Sequence, residues 1–137
     1  MRTPISRSCA LRASSNSVPA KINLSEKLAQ FSDYWNPRII AGYNGNEIRV
    51  SKVNGEFVWH RHDDTDECFI VIKGQLRMRL RDGDQILNAG EMIVIPRGVE
   101  HCPSSDEECQ VLVIDRDGTK NTGDVESEFT RAALDRI

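Results

Sequence analysis

The chain has 137 residues, of which 39% are hydrophobic and 28% are charged, as in an ordinary globular protein. This length suits a single domain that is large enough to form one hydrophobic core. The net charge of −3 gives no support for binding to nucleic acid or to an anionic membrane surface, and no apolar run has the length that spans a bilayer. We therefore expect a protein that binds neither nucleic acid nor membrane.

Residues 1–20 differ from the rest of the chain, with three arginines, five serines and no acidic residue. They lack the apolar core of a secretory signal, whereas an Arg- and Ser-rich segment without acids is typical of an organelle presequence. Pro4 and Pro19 would interrupt a helix, however, which favours a disordered tail or upstream sequence translated from an early start codon. We expect a tail or presequence over residues 1–20 and one domain over 21–137.

The four cysteines have neither Cys-x-x-Cys spacing nor the density of a secreted disulfide scaffold: they are Cys9, Cys68, Cys102 and Cys109. We predict thiols, in a protein of the reducing cytoplasm, and expect each cysteine to serve in packing.

A short helix is predicted over residues 23–31. Asn23 can cap its first turn, Glu26 completes a capping box, and Leu24, Leu28 and Phe31 share one face. A second helix is predicted near the C-terminus, over residues 126–134.

Between these helices the sequence alternates short strands with turn dipeptides. Asn44-Gly45, Asn54-Gly55 and Asp82-Gly83 are typical of hairpins, because such turns need residues that tolerate a positive φ. The predicted strands are 38–43, 47–53, 56–62, 67–73, 75–81, 85–88, 92–95, 100–102 and 109–115, with a polar loop over 103–108. This pattern predicts an all-β protein, an antiparallel barrel or jelly roll.

All three histidines and one glutamate fall where they can converge. His60 and His62 are two residues apart, so they share one face of the predicted strand 56–62. Glu67 can return toward them on the next strand, and His101 follows the Pro96-Arg97-Gly98 turn. Three imidazoles and one carboxylate inside a sheet predict a site for one divalent metal ion.

These residues carry a resemblance to the cupin superfamily. The first cupin motif matches Gly55, His60-Arg61-His62, Glu67 and Gly74, and the second matches Gly90, Pro96-Arg97-Gly98 and His101. Two departures are a gap of four residues between Gly55 and His60, and Ser105 where the family often has Asn. The resemblance implies a double-stranded β-helix, which is a jelly-roll barrel, with metal on His60, His62, Glu67 and His101. The chain also resembles small single-domain cupins described as mannose-6-phosphate-isomerase-like, which commonly form homodimers.

The ligand types leave the metal open among Fe, Ni, Mn, Zn, Co and Cu. If the ion is octahedral, two positions remain for water, oxygen or a substrate oxygen, which is typical of a catalytic rather than a structural site. Glu67 is the candidate base, should it leave the metal.

Two classes of function follow. The first is a metal-dependent enzyme that acts on a small organic molecule, either dioxygenase-like or sugar-isomerase-like. The second is a non-catalytic module that binds metal and a small ligand, as a sensor or a store. For assembly we expect a homodimer, because Trp59, the Tyr34-Trp35 loop and the apolar face of the first helix all need cover.

An arginine stripe on the predicted strand 75–81 has two readings, an anion site or a solvated face with cross-strand ion pairs: Arg77, Arg79 and Arg81. The second reading is favoured, since these residues alternate with Leu76, Met78 and Leu80.

Overall fold

The computed structural model describes residues 18–137, so most of the predicted tail or presequence lies outside the described residues. Within this part of the chain, one helix and seven strands form in this order: α1 Leu24–Leu28, β1 Arg38–Tyr43, β2 Asn46–Glu56, β3 Glu67–Lys73, β4 Gln75–Leu80, β5 Gln85–Asn88, β6 Met92–Ile95 and β7 His101–Arg116. No helix within 18–137 is long and apolar enough to cross a bilayer.

All named strand pairs are antiparallel, and they join in the order β1-β2-β7-β3-β6, with β4 pairing both β7 and β5. The predicted all-β jelly-roll architecture is confirmed. Strand β7 is the central element, because its first residues pair with β4 and its last residues pair with both β2 and β3.

The inner face of the sheet forms the main core by the alternation expected of strands. Phe69 and Val71 of β3 point inward, as do Val111 and Val113 of β7, and Glu67 lies on the same face. Helix α1 covers part of the outer face, where Leu28 packs with Ile40 and Val50.

The first helix is shorter than predicted, ending at Leu28 rather than near residue 31. Asn23 caps it as predicted, since its side chain accepts a hydrogen bond of 2.9 Å from the backbone N–H of Glu26. The Asn44-Gly45 hairpin is also confirmed, with φ of 50° and 79° at its two residues.

Asn54-Gly55 is not a hairpin, which corrects the prediction. Strand β2 continues through it to Glu56, with a register shift between Val53 and Gly55 against β7. Gly55 has φ of 83°, so the dipeptide forms a bulge that bends the strand instead of reversing it.

The predicted loop 103–108 and the two short strands beside it are also wrong, because they form one 16-residue strand, β7. Pro103 has no N–H to donate, yet its carbonyl accepts a hydrogen bond of 3.0 Å from Phe57 N–H. Ser104 and Ser105 pair with the extended end of β2, so the polar stretch has ladder partners that the sequence did not reveal.

The predicted C-terminal helix 126–134 does not form. Side chains hydrogen-bond the backbone there instead: Asn121 donates to Phe129 O and accepts from Arg131 N–H, and Thr130 accepts from Ser127 N–H. Such local bonds compete with the helical ladder. Phe129 packs against Trp35 and Phe57, which holds this segment on the barrel.

Candidate metal centre

Three separate parts of the fold bring the four candidate ligands together. Glu67 is the first residue of β3 and His101 is the first residue of β7, while His60 and His62 lie in the extended segment between β2 and β3. All four side chains are buried, and each offers one ligand atom such that these atoms lie within 4.8 Å of one another.

The two motif histidines do not come from a regular strand over 56–62, which corrects that prediction. Strand β2 ends at Glu56, and His60 forms an isolated bridge to His101. In this bridge each backbone N–H donates to the other residue's carbonyl, at 3.0 and 2.9 Å. The bridge places His60 beside His101 without a continuous strand.

Backbone carbonyls fix the orientation of two imidazole rings. Nδ1 of His60 lies 2.9 Å from Val58 O, and Nδ1 of His101 lies 2.9 Å from Val99 O. A carbonyl only accepts, so Nδ1 must be the protonated nitrogen in both rings. Each Nε2 therefore presents its lone pair to the centre, the orientation that a metal-binding histidine needs.

Imidazole nitrogens and a carboxylate meet at the centre, where a positive charge would stabilise them. Glu67 Oε1 lies 3.0 Å from His101 Nε2 and 3.3 Å from His62 Nε2. His62 Nε2 is buried and makes no hydrogen bond of acceptable geometry. Because neutral His101 already carries its proton on Nδ1, its Nε2 and the carboxylate are both acceptors. A cation, or a proton on the ring, relieves this contact, so the residues fit a divalent ion.

Electrostatics prepare the ligands in their metal-binding forms. Burial, with the neighbouring His101 adding to it, lowers the pKa of His60 from 6.5 to about 4, which keeps the ring neutral. Burial works to raise the pKa of Glu67, but the close His101 and His62 rings outweigh it and hold that pKa well below the ordinary value. Neutral imidazole and ionised carboxylate are the forms that bind metal.

The Pro96-Arg97-Gly98 turn contacts the ligand segment directly. Gly98 has φ of 83°, a region that favours glycine, and its N–H donates to His62 O at 2.8 Å. Asp66 accepts hydrogen bonds from the backbone and the side chain of Arg97. The turn thus joins the segment that carries His62 to the one that leads to His101.

A C-terminal turn holds the other side of the ligand segment, and the sequence analysis missed it. Asp124 N–H donates to Arg61 O at 3.1 Å, and Arg61 N–H donates to Asp124 Oδ1 at 2.9 Å. Gly123 lies so close that an added Cβ would stand 2.2 Å from Arg61 O. The peptide between His60 and His62 is therefore clamped by residues more than sixty positions later.

Buried charges next to Glu67 were also missed. Arg49 is only 2% exposed and donates to Glu47 at 2.7 and 3.1 Å and to Asp115 at 3.3 Å. Burial, together with the charge of the nearby Glu67, raises the pKa of Asp115. The sequence could have revealed this cluster, because alternate residues of a strand face the same side. Glu47 and Arg49 lie an even number of residues before the inward-facing Val53, and Asp115 lies two residues after the inward-facing Val113.

A cavity of about 50 Å³ opens beside the candidate ligands. His60, Glu67, Arg49 and Asp115 contribute its main polar groups, and the rest of its wall is largely apolar: Trp35, Val53, Phe57, Phe69, Val111 and Val113. One water needs about 10–15 Å³ by this measure, so the cavity has room for a compact molecule of a few heavy atoms.

The arginine stripe forms ion pairs at the surface, as the favoured reading predicted. Arg79 pairs with Glu56, and the others pair with Asp84 and Glu100. Arg81 also stacks over Trp59 at 3.8 Å, which explains the outer position of this tryptophan. Each stripe arginine already has an acidic partner, so the stripe offers no ready anion site.

The three described cysteines are free thiols. Burial raises the pKa of Cys102 and of Cys109 to about 11, which makes them poor nucleophiles. Cys68 lies on the outer face of β3, as its parity predicted, whereas Cys9 lies outside the described residues.

Comparisons with known proteins agree with the motifs. The profile of the cupin domain matches residues 48–115. The uncharacterised protein YdbB of Bacillus subtilis is 35% identical over 79 residues, which are 57% of this chain and 64% of that protein, slightly under two thirds of its length.

Two crystal structures are similar over most of the described barrel. A cupin-2 domain containing protein from Shewanella frigidimarina is 49% identical, with a TM-score of 0.69, over 69% of this chain and 93% of that one. Protein NMB1881 from Neisseria meningitidis is 32% identical, with a TM-score of 0.65, over 71% of this chain and 99% of that one. With its barrel and both motifs in place, the chain belongs to the cupin superfamily.

Proposed function

We propose that His60, His62, Glu67 and His101 bind one divalent metal ion and that the chain is a metal-dependent enzyme for a small organic molecule. The observation that carries this proposal is the convergence of three imidazole rings and a carboxylate beside an open cavity. A structural metal site would be closed by its ligands, whereas this one borders space for a substrate.

When bound, such an ion polarises a substrate oxygen or holds oxygen and substrate together, in isomerase-like or dioxygenase-like chemistry. The apolar wall of the cavity, which includes Phe57 and Phe69, excludes water and orients the substrate. Glu67 remains the candidate base, and Asp115 next to it can hold a proton in reserve.

Metal analysis tests the first half of this proposal. Protein loaded in turn with Fe²⁺, Ni²⁺, Mn²⁺, Zn²⁺, Co²⁺ and Cu²⁺ should retain one ion per chain for at least one metal. His62→Ala should lose it, while Asp63→Ala, an exposed neighbour, should retain it. Protein that takes up none of these ions would contradict the proposal.

Turnover tests the second half. Metal-loaded protein should consume oxygen, or convert substrate, with at least one member of a panel of diketones, thiols and small sugars, and His101→Ala should abolish this. Tight metal binding without turnover on any panel would favour a sensor or store instead.

We further propose a homodimer of the cytoplasm. The surfaces first suspected as interfaces are covered within the chain, since Trp35 and Leu28 are buried and Trp59 lies under arginines. A different face supports the dimer: paired outer residues of β6, β3 and β7 form an apolar grid of Met92, Val94, Cys68, Ile70, Leu112 and Ile114. Met92 and Val94 are 56% and 50% exposed.

Light scattering at micromolar concentration should give the dimer mass. Met92→Glu should shift it to the monomer, whereas Tyr43→Glu, at a residue 65% exposed outside this grid, should leave the dimer intact. A monomeric wild-type protein would refute the dimer.

A further inference from the structure

The cavity beside the candidate metal centre has one cationic side chain in its wall. Of the described residues that line it, Arg49 is the one permanently cationic side chain, while Glu67 and Asp115 contribute carboxyl groups. Glu47 stands behind Arg49 and adds a third carboxyl to the same buried cluster. Apart from a bound metal ion, a ligand in this cavity therefore meets no cation that lacks an acidic partner.

Arg49 is also occupied. Of the five N–H groups of a guanidinium, Nε donates to Glu47, Nη1 donates to Asp115, and Nη2 donates to Glu47 and to Thr119 O at 2.8 Å. One N–H remains, which is enough for one neutral oxygen. A phosphate has three strongly accepting oxygens, and burying it without cationic partners is costly.

The rest of the cavity wall also disfavours a charged ligand. It is mainly aromatic and aliphatic, and the space of about 50 Å³ leaves no room for a charged group to keep its own shell of water. A charged appendage would be desolvated against apolar side chains and close to Asp115.

We infer that the substrate is a compact molecule that presents an oxygen to the metal and is otherwise uncharged, and that the site rejects phosphate esters. This inference rests on the proposed function, because it concerns the ligand of the same site. It also separates this chain from sugar-phosphate isomerases, whose substrate would need a free cation in the wall.

Dihydroxyacetone and dihydroxyacetone phosphate are a matched pair of probes, since they share the ketone and one hydroxymethyl group and differ by the phosphate. Binding is followed by amide chemical shifts of ¹⁵N-labelled protein, both loaded with Zn²⁺ and metal-free. In the loaded protein dihydroxyacetone should shift the amides of Val111 and Val113, and the phosphate ester should bind at least tenfold more weakly. In the metal-free protein the phosphate ester should again be the weaker ligand.

Glu47→Gln should narrow the difference between the two probes severalfold, because it removes, at nearly constant shape, the carboxylate that occupies two N–H groups of Arg49. Glu56→Gln, at an exposed residue that pairs with Arg79, should leave the difference unchanged. Equal or tighter binding of the phosphate ester to the wild-type cavity overturns the inference. So does a Zn²⁺-loaded protein in which dihydroxyacetone causes no shift at the cavity amides. Failure to retain Zn²⁺ or another ion contradicts the proposed function instead, and the metal-free comparison still decides about phosphate.

Discussion

Gly123→Ala should weaken metal binding, although Gly123 contributes no ligand atom. An added Cβ would stand 2.2 Å from Arg61 O, whereas ordinary contact begins at 3.4 Å, so the two segments must separate by about 1 Å. The carbonyl belongs to the residue between His60 and His62. Metal–ligand distances tolerate about 0.2 Å, so a displacement of this size should reduce affinity by about 10–100-fold.

Stability should fall as well. Gly123 has φ of 59°, and a residue with a Cβ costs about 1–2 kcal/mol in this region. Losing the hydrogen bond from Asp124 N–H to Arg61 O adds about 1 kcal/mol. Unfolding in urea should therefore show a loss of about 2–3 kcal/mol, and titration with Co²⁺ should show the weaker binding.

Gly118→Ala is the matched control, because Gly118 lies in the same C-terminal segment with φ of 78° but has no atom within 4 Å of an added Cβ. It should lose about 1–2 kcal/mol of stability and keep its metal affinity. If both variants bind metal as tightly as wild type, the added Cβ displaces the C-terminal turn and leaves the segment with His60 and His62 in place. The contact between the two segments would then not position the histidines. Equal loss of metal in both would also contradict the reasoning.

Two further predictions concern the same centre. Gly98→Val should lower the free energy of unfolding by about 1–3 kcal/mol and weaken metal binding, because Gly98 has φ of 83° and its N–H donates to His62 O. Gly83→Ala, in a hairpin turn, should lower stability without changing metal affinity. Metal titration of both variants checks this difference. Metal-free protein should lose stability as the pH falls from 6.5 toward 4, since in that window the unfolded chain protonates His60 and the folded chain, with its pKa near 4, does not. The pKa shift corresponds to about 3 kcal/mol. The difference in free energy of unfolding between pH 7.5 and 4.5, measured in urea, should therefore be smaller in His60→Gln than in wild type. An unchanged difference would refute the burial of a neutral ring. For the same reason proton competition for metal at His60 should begin near pH 4 rather than near 6.5.

The candidate ligands could be predicted because their spacing is set by local rules. The alternation of β4, the turn dipeptides and the Pro96-Arg97-Gly98 turn each depend on neighbours in sequence, and they delivered four strands and the position of His101 almost as observed. The same rules failed where the partners are distant. The polar stretch 103–108 is extended because β2 and β4 pair with parts of it, and the C-terminal segment is not helical because Asn121 and Thr130 bond its backbone.

The buried cluster around Arg49 was missed for a different physical reason. Alternating charged residues have the same spacing whether they face the core or the solvent. If the register of a strand is uncertain by one residue, the sequence does not show which face they occupy. Charged side chains are rarely buried, which argues against an interior position for Glu47 and Arg49, but that rule holds only for charges without partners. Here each charge has a partner, and the partner Asp115 lies on a strand far along the chain.

The motif glycines have a physical explanation in the shape of β7. Its two ends both come close to Glu67, since His101 Nε2 lies 3.0 Å from Glu67 Oε1 and Asp115 lines the same cavity as Glu67, yet fourteen residues of straight strand would separate them by about 46 Å. Strand β7 must therefore curl around the barrel. The neighbouring strands shift register where it bends, after Val53 against β2 and after Val71 against β3.

The two glycines of the first motif stand at or next to these shifts. Gly55 has φ of 83° inside the bulge of β2, and Gly74, with φ of 91°, lies where an added Cβ would be 2.9 Å from Glu108 O and 3.1 Å from Cys109 Cα. A side chain at Gly74 would push β4 away from the bend, whereas one at Gly55 would meet only the backbone strain. The glycines that flank the ligand motif thus do not touch the metal centre. They allow one strand to curve enough to bring its first histidine and its last acidic side chain to the same carboxylate.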